Sequence, residues 1–273
     1  MSDALNLVYN TIDEQYADRS ASTRRQLVGG VAAALGTMGI LGLAADDAEA
    51  GTTVNPTELL AVAATAEVLA TIVNTVGYET VPGLDAVTKK NIAAAAREEL
   101  IHFDVLTSAA VGAKELTRRI WVPNSVFASA TSFLTTLEVG DQVFVNAYLL
   151  ATTVFGNRDN GNLARISAEF MAVEAVHRAL ARQSLGKLGN DRVFAKYSQG
   201  EEAPGLPTTG QGGYRTPMAH VNFLKGVGFG FGERSNQPGA FYEYDAVSQR
   251  TPTAAQIGAL GGTSGTINTL APR

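Results

Sequence analysis

Glu99 and His102 stand three residues apart in REELIHFDVL, in the middle of an apolar, alanine-rich run, and Glu174 and His177 repeat the pair in AVEAVHRAL. On a helix, residues i and i+3 share a face, so each pair aims a carboxylate and an imidazole at the same place. Two further acids stand alone in apolar surroundings: Glu67 between Leu59 and Val73, and Glu138 between SFLTTL and VGDQVFV. Glu67, Glu99, His102, Glu138, Glu174 and His177 are therefore candidates for one buried cluster. With 15 Glu among 273 residues, a given His has about a 5% chance of a Glu three positions before it, so two of the three His doing so is about a 1% coincidence. A buried carboxylate without a counter-charge is costly enough to require a cation. Four carboxylates and two imidazoles balance two divalent metal ions, with Glu from two helices bridging them and a terminal ligand set completing each.

Four helical stretches must position these side chains. The first opens with Asn55 as N-cap, Pro56 at the first helical position and Glu58 three residues after the cap, and runs to about Tyr78 before Val81-Pro82-Gly83. A second starts near Asp85 and ends by Gly112. KELTRRIWVPNSVFA follows, a connection long enough to cross from one end of a bundle to the other. The third helix extends from about Ser129 to Phe155, GNRDNGN is a turn, and the fourth covers about Leu163 to Leu188. The expected fold class is all-α: an up-down-down-up four-helix bundle over residues 51–189, followed by an irregular Gly/Pro-rich C-terminal tail over 190–273. Phe223, Phe229, Phe231, Phe241, Tyr242 and Tyr244 lie within that tail. A pure linker would not need such aromatics, so the tail is expected to pack on the bundle or on a neighbouring subunit.

Composition restricts the chemistry further. The net charge is -5, with 21 Lys and Arg against 26 Asp and Glu and no long run of either sign, which argues against nucleic acid as a partner. There is no cysteine. Disulfides, thiol nucleophiles and iron–sulfur clusters are thereby excluded, and any metal site is one of His and carboxylate. At the N-terminus, Arg24 and Arg25 precede an uncharged, Gly- and Ala-rich stretch from Gln26 to Ala45, then Ala48-Glu49-Ala50 before Gly51. Residues 1–50 resemble a twin-arginine export signal, which implies a periplasmic or extracellular protein. The alternative is a membrane anchor through residues 26–45, although five glycines and few bulky residues make it a weak one. Asp3, Asp13, Glu14 and Asp18 depart from the basic start of such a signal.

The six candidates in their order resemble the di-metal carboxylate pattern of the ferritin-like superfamily. AAAAREELIHFDVL and LEVGDQVFVNAY resemble bacterial ferritin-like proteins related to the desiccation-related proteins of plants. The resemblance covers residues 57 to 188. It implies that Glu99 and Glu174 bridge two ions, that Glu67 and Glu138 are terminal carboxylates, and that His102 and His177 each ligate one metal. It also implies iron foremost and manganese as the alternative, oxygen or peroxide as the reaction partner, and a homo-oligomer through the bundle faces or the tail. Relatives include iron stores, di-iron proteins that consume oxygen or peroxide, and di-manganese catalases, and the fold does not choose among them. Redox chemistry at a di-iron site is the leading expectation. A metal-sequestering or stress- and desiccation-protection protein without turnover is the second, and a manganese catalase the third, although the crossover from Glu99 to Glu138 lacks the larger insertion associated with those enzymes.

Other polar residues admit two readings. Asp141, at i+3 from Glu138, either faces the interior beside a ligand His or belongs to a partly solvated face. Glu98 lies about 100° around the helix from Glu99, which favours the surface or a supporting contact over ligation. Tyr148 is a redox-active tyrosine or, more simply, a core tyrosine with a satisfied hydroxyl. His220 has no acid or thiol at ligand spacing and reads as structural. GVGFGFG lacks the strand–helix context of a phosphate loop.

Overall fold

The computed structural model describes residues 54–189 and 216–261. The export segment expected over 1–50 and the alternative anchor at 26–45 lie outside the described residues, as do 190–215 and 262–273 of the tail.

Local signals set the helix starts. Helix α1, Pro56–Thr80, begins with the Asn55 side chain accepting from the Thr57 N–H at 2.9 Å, and ends where extended Val81 precedes Pro82. Helix α2, Ala86–Thr107, is capped by Asp85, which accepts from the Val87 and Thr88 N–H groups. It stops five residues short of the expected Gly112, because Ser108–Gly112 closes a turn with Gly112 at φ +75°. Helix α3, Ala130–Gly156, is capped by Ser129, and helix α4, Gly161–Ser184, by Asn160. Helix α4 ends short of Leu188, where Gly186 at φ +73° allows Lys187 N–H to turn back to the Arg182 carbonyl.

Helix α1 packs chiefly on α2 and α3 on α4, so two antiparallel hairpins form the four-helix bundle, joined by the crossover from 108 to 129. Its core includes Val68, Ile72 and Phe133, all fully buried. Helix α1 is apolar and long enough to cross a membrane by length and composition, yet its apolar window is 83% buried inside the bundle, which is how a core helix meets the same criterion. Its contact with the start of α3 depends on Gly77: a Cβ there would fall within 2.1 Å of the Phe133 ring.

The crossover and tail carry structure that local pattern did not reveal. Strand β1, Arg119–Pro123, leads into a 3-10 turn, Asn124–Phe127. The tail adds helix α5, Pro217–Gly226, strands β2, Gly230–Phe231, and β3, Gly239–Glu243, and helices α6, Tyr244–Ser248, and α7, Ala254–Ala259. Both tail strands pair antiparallel with β1, in the order β2-β1-β3, with Trp121 opposite Gly230 on one side and Phe241 on the other. Gly239 is required there, since a Cβ would come within 2.4 Å of the Val122 carbonyl oxygen. The tail thus packs on the bundle, one of the two expected placements. The Tyr244 ring lies 4.5 Å from that of Phe103, and the Thr75 and Thr251 hydroxyls hydrogen-bond at 2.8 Å in the interior. Its glycines and prolines punctuate short elements whose hydrogen-bond partners lie over a hundred residues away, so the stretch reads as irregular until β1 is placed beside it.

Candidate metal centre

Each of the four bundle helices is apolar around its middle and interrupted there by acid, and the fold brings most of these interruptions to one level. Glu67 on α1, Glu99 and His102 on α2, and Glu174 and His177 on α4 are all buried, with Glu67, Glu99 and Glu174 fully so. His102 Nδ1 lies 3.6 Å from Glu67 Oε2, 3.6 Å from Glu99 Oε2 and 3.3 Å from Glu174 Oε1. His177 Nδ1 lies 3.1 Å from Glu99 Oε1 and 3.5 Å from Glu174 Oε2. Glu99 and Glu174 therefore stand between the two imidazoles. The i, i+3 spacing does this directly, because both pairs face the bundle axis from the packed helices α2 and α4.

Glu138 does not join them. Its carboxylate accepts from Arg182 Nη1 and, at 2.6 Å, from Lys187 Nζ. The structure does not bring this expected terminal ligand together with the other five: two cations at the end of α4 hold it. Asp141, one turn further along α3, takes the inward place. One of its oxygens, with Glu174 and His177, offers ligand atoms within 4.8 Å of one another; Glu67, Glu99, His102 and Glu174 form the companion group on the same criterion. Spacing alone admits both readings of Asp141, and the packing of the hairpin decides between them. Folding α3 onto α4 about Asp159 in the turn sets Asp141 level with His177, and Glu138 level with Leu180, beside Arg182.

Neighbouring side chains orient the cluster. Glu98 accepts from His177 Nε2 at 2.7 Å, which fixes the tautomer and turns Nδ1 inward; this is the supporting contact expected for it. The Tyr148 hydroxyl donates to Glu67 Oε1, so it is a core tyrosine with a satisfied hydroxyl that also orients a candidate ligand. Phe170 stacks on His102 with ring centroids 3.9 Å apart. His220, expected to be structural, is buried on α5 with Nδ1–H donating to the Thr216 carbonyl, and burial draws its pKa down to about 4.

The electrostatics are those of a crowded acidic pocket. Burial raises the Glu67 and Asp141 carboxyls well above their usual range, offset in part by His102 for the first and by His177 and Arg178 for the second. Burial acts on Glu99 in the same sense, but the His102 and His177 imidazoles beside it outweigh that effect and hold the carboxyl low. Burial works against charge on both imidazoles, yet the surrounding carboxylates prevail and raise them. Eight buried atoms complete no hydrogen bond among the described residues: Glu67 Oε2, both oxygens of Glu99 and of Glu174, Asp141 Oδ2, and Nδ1 of His102 and of His177. Native interiors rarely leave so many polar atoms unsatisfied in one place. An all-nitrogen-and-oxygen donor set converging in this way suits a first-row transition-metal ion, and the cluster can hold metal.

A family model described as a ferritin-like domain matches residues 54–187. The four-helix bundle and its acidic centre both lie within the matched residues. No curated protein and no solved structure matches the chain significantly.

Proposed function

We propose that the protein is a ferritin-like di-metal carboxylate protein whose centre carries out redox chemistry on oxygen or peroxide, most readily with two iron ions and alternatively with manganese. The observation that supports this best is the set of eight converging, unsatisfied ligand atoms in two overlapping groups. In this reading Glu67 and His102 serve one ion, Asp141 and His177 the other, and Glu99 and Glu174 lie between them. When bound, the two ions supply electrons and Lewis acidity. The chain's own residues do the rest. Glu98 keeps the His177 Nδ1 lone pair directed inward, and Tyr148 holds Glu67 in place. Phe170, buried and stacked on His102, shields that half of the centre from bulk water. We place the protein outside the cytoplasm on the strength of the twin-arginine-type segment, and regard a homo-oligomer as its working form.

Metal analysis after reconstitution with ferrous ion tests the centre. The wild type should retain about two ions per chain, the number that two such ligand groups accommodate, and the Glu99→Ala, Glu174→Ala double variant close to none. Equal retention by the two proteins sinks the reading. Turnover is tested separately: oxygen or peroxide should oxidise the ferrous protein faster than free ferrous ion. Equal rates would leave the second expectation, sequestration without turnover.

A further inference from the structure

The two halves of the centre are built alike, but their surroundings differ. Glu67 on α1 and Asp141 on α3 occupy matching places, and the residue seven positions on, about two turns along each helix, is Asn74 in one case and Tyr148 in the other. Because α1 and α3 run in opposite directions, these two residues flank opposite ends of the cluster. At one end Tyr148 reaches Glu67 and, with Phe170 against His102, fills the space. At the other end the shorter Asn74 leaves a void of about 20 Å³ beside Asp141 and His177, enough for a molecule of water or peroxide size.

Asn74 is 3% exposed, and its Nδ2 donates to the Ala70 carbonyl at 3.2 Å. That bond identifies the nitrogen, so the atom left over is Oδ1, a buried acceptor without a hydrogen-bond partner among the described residues. Thr88, Leu134 and Ser184 line both this void and an open cavity of about 200 Å³ that Gly83, Leu84 and Asp85 also line, so the two adjoin. At the junction the Thr88 hydroxyl donates to Asp85 Oδ2 at 2.5 Å and accepts from Ser184 Oγ at 2.8 Å, so a single pair of hydroxyls bridges α2 and α4 across the path. Apart from Asn91, the remaining walls of the inner void, among them Ile92, Ala95 and Leu137, are apolar and favour a small neutral molecule over a hydrated ion. A small neutral molecule that donates a hydrogen bond satisfies Asn74. Hydrogen peroxide does so and dioxygen does not.

We propose that hydrogen peroxide reaches the Asp141–His177 half of the centre by this passage, with the Thr88–Ser184 pair as its gate and Asn74 Oδ1 as its docking group. The proposal rests on the metal-binding reading of that centre. Two measurements test it. Crystals of the metal-free protein pressurised with xenon should show the gas between Leu134 and Ser184, and Ser184→Leu, a change at a half-buried position near the end of α4, should exclude it. In stopped flow with the ferrous protein, Asn74→Leu should slow oxidation by hydrogen peroxide about tenfold, the loss of one hydrogen bond, while changing oxidation by dioxygen less than about twofold. Ser184→Leu should slow the peroxide reaction as well. Xenon absent from a wild type that binds two ions overturns the passage alone, and an Asn74→Leu effect that is equal for both oxidants, or absent, overturns the docking role. Failure to bind metal at all overturns the reading of the centre, and this proposal with it.

Discussion

Glu138 and Asp141 show how one helical turn separates an acid held by two cations from one that faces the cluster. Glu138 neutralises buried Arg182 and half-buried Lys187, whereas Asp141 faces Glu174 and His177 with its carboxyl raised by burial. Removing their charges should therefore have opposite effects in the presence of chelator. Glu138→Gln leaves Arg182 buried beside a neutral amide and should lower stability by about 3 kcal/mol, as for other broken buried pairs. Asp141→Asn relieves repulsion from Glu99 and Glu174 and should raise the melting temperature while weakening metal binding. Thermal melts of both variants check this; a Glu138→Gln protein at least as stable as wild type would show that its ion pairs carry no weight.

At the scale of elements, the helices are largely specified by their own caps: Asn55, which the sequence marks as an N-cap, caps α1, and Asp85, Ser129 and Asn160 cap α2, α3 and α4. How closely the helices approach is a separate matter. Gly77 brings α1 against the Phe133 ring, and neither residue announces the other in the sequence, because the two are 56 positions apart. Gly77→Ala should cost about 1–3 kcal/mol, the usual range for overpacking, even though alanine is the better helix former by about 1 kcal/mol. Denaturant unfolding measures the balance. A stabilised variant would mean that the ring moves aside freely and that the contact does not set the spacing of α1 and α3.

For the whole molecule, the centre couples metal binding to folding. Cations that bind the folded chain and not the unfolded one should raise stability by about 2.7 kcal/mol at a free concentration a hundred times the dissociation constant, so chelation should lower the melting temperature. The chelated protein should itself depend on pH. Glu67 and Asp141 have raised carboxyls, so the folded state holds protons that the unfolded chain has released; the stability they confer is complete below the unfolded pKa and is lost as pH rises through the folded values. His102 and His177, also raised, act in the same sense around neutrality, whereas the lowered Glu99 opposes it only as pH falls below the ordinary carboxylate range. Melts in chelator should be higher at pH 5.5 than at pH 8, and Glu67→Gln should flatten the difference. A chelated protein that is equally stable at both values would remove the repelling cluster from the account.

Periodicity and spacing by themselves determined that four helices form, that α2 and α4 each present Glu and His on one face, and that buried acid requires a partner, because all three follow from 3.6 residues per turn and the cost of burying charge. The match of residues 54–187 to the ferritin-like domain agrees with that reading. Only tertiary structure decided which acid of α3 faces inward, because Glu138 and Asp141 share a helix face and differ only in what α4 sets opposite them. Only tertiary structure could also show the tail strands joining β1, since the pairing of Ile120 with Tyr242 and Phe231 is made between segments that carry no local trace of each other.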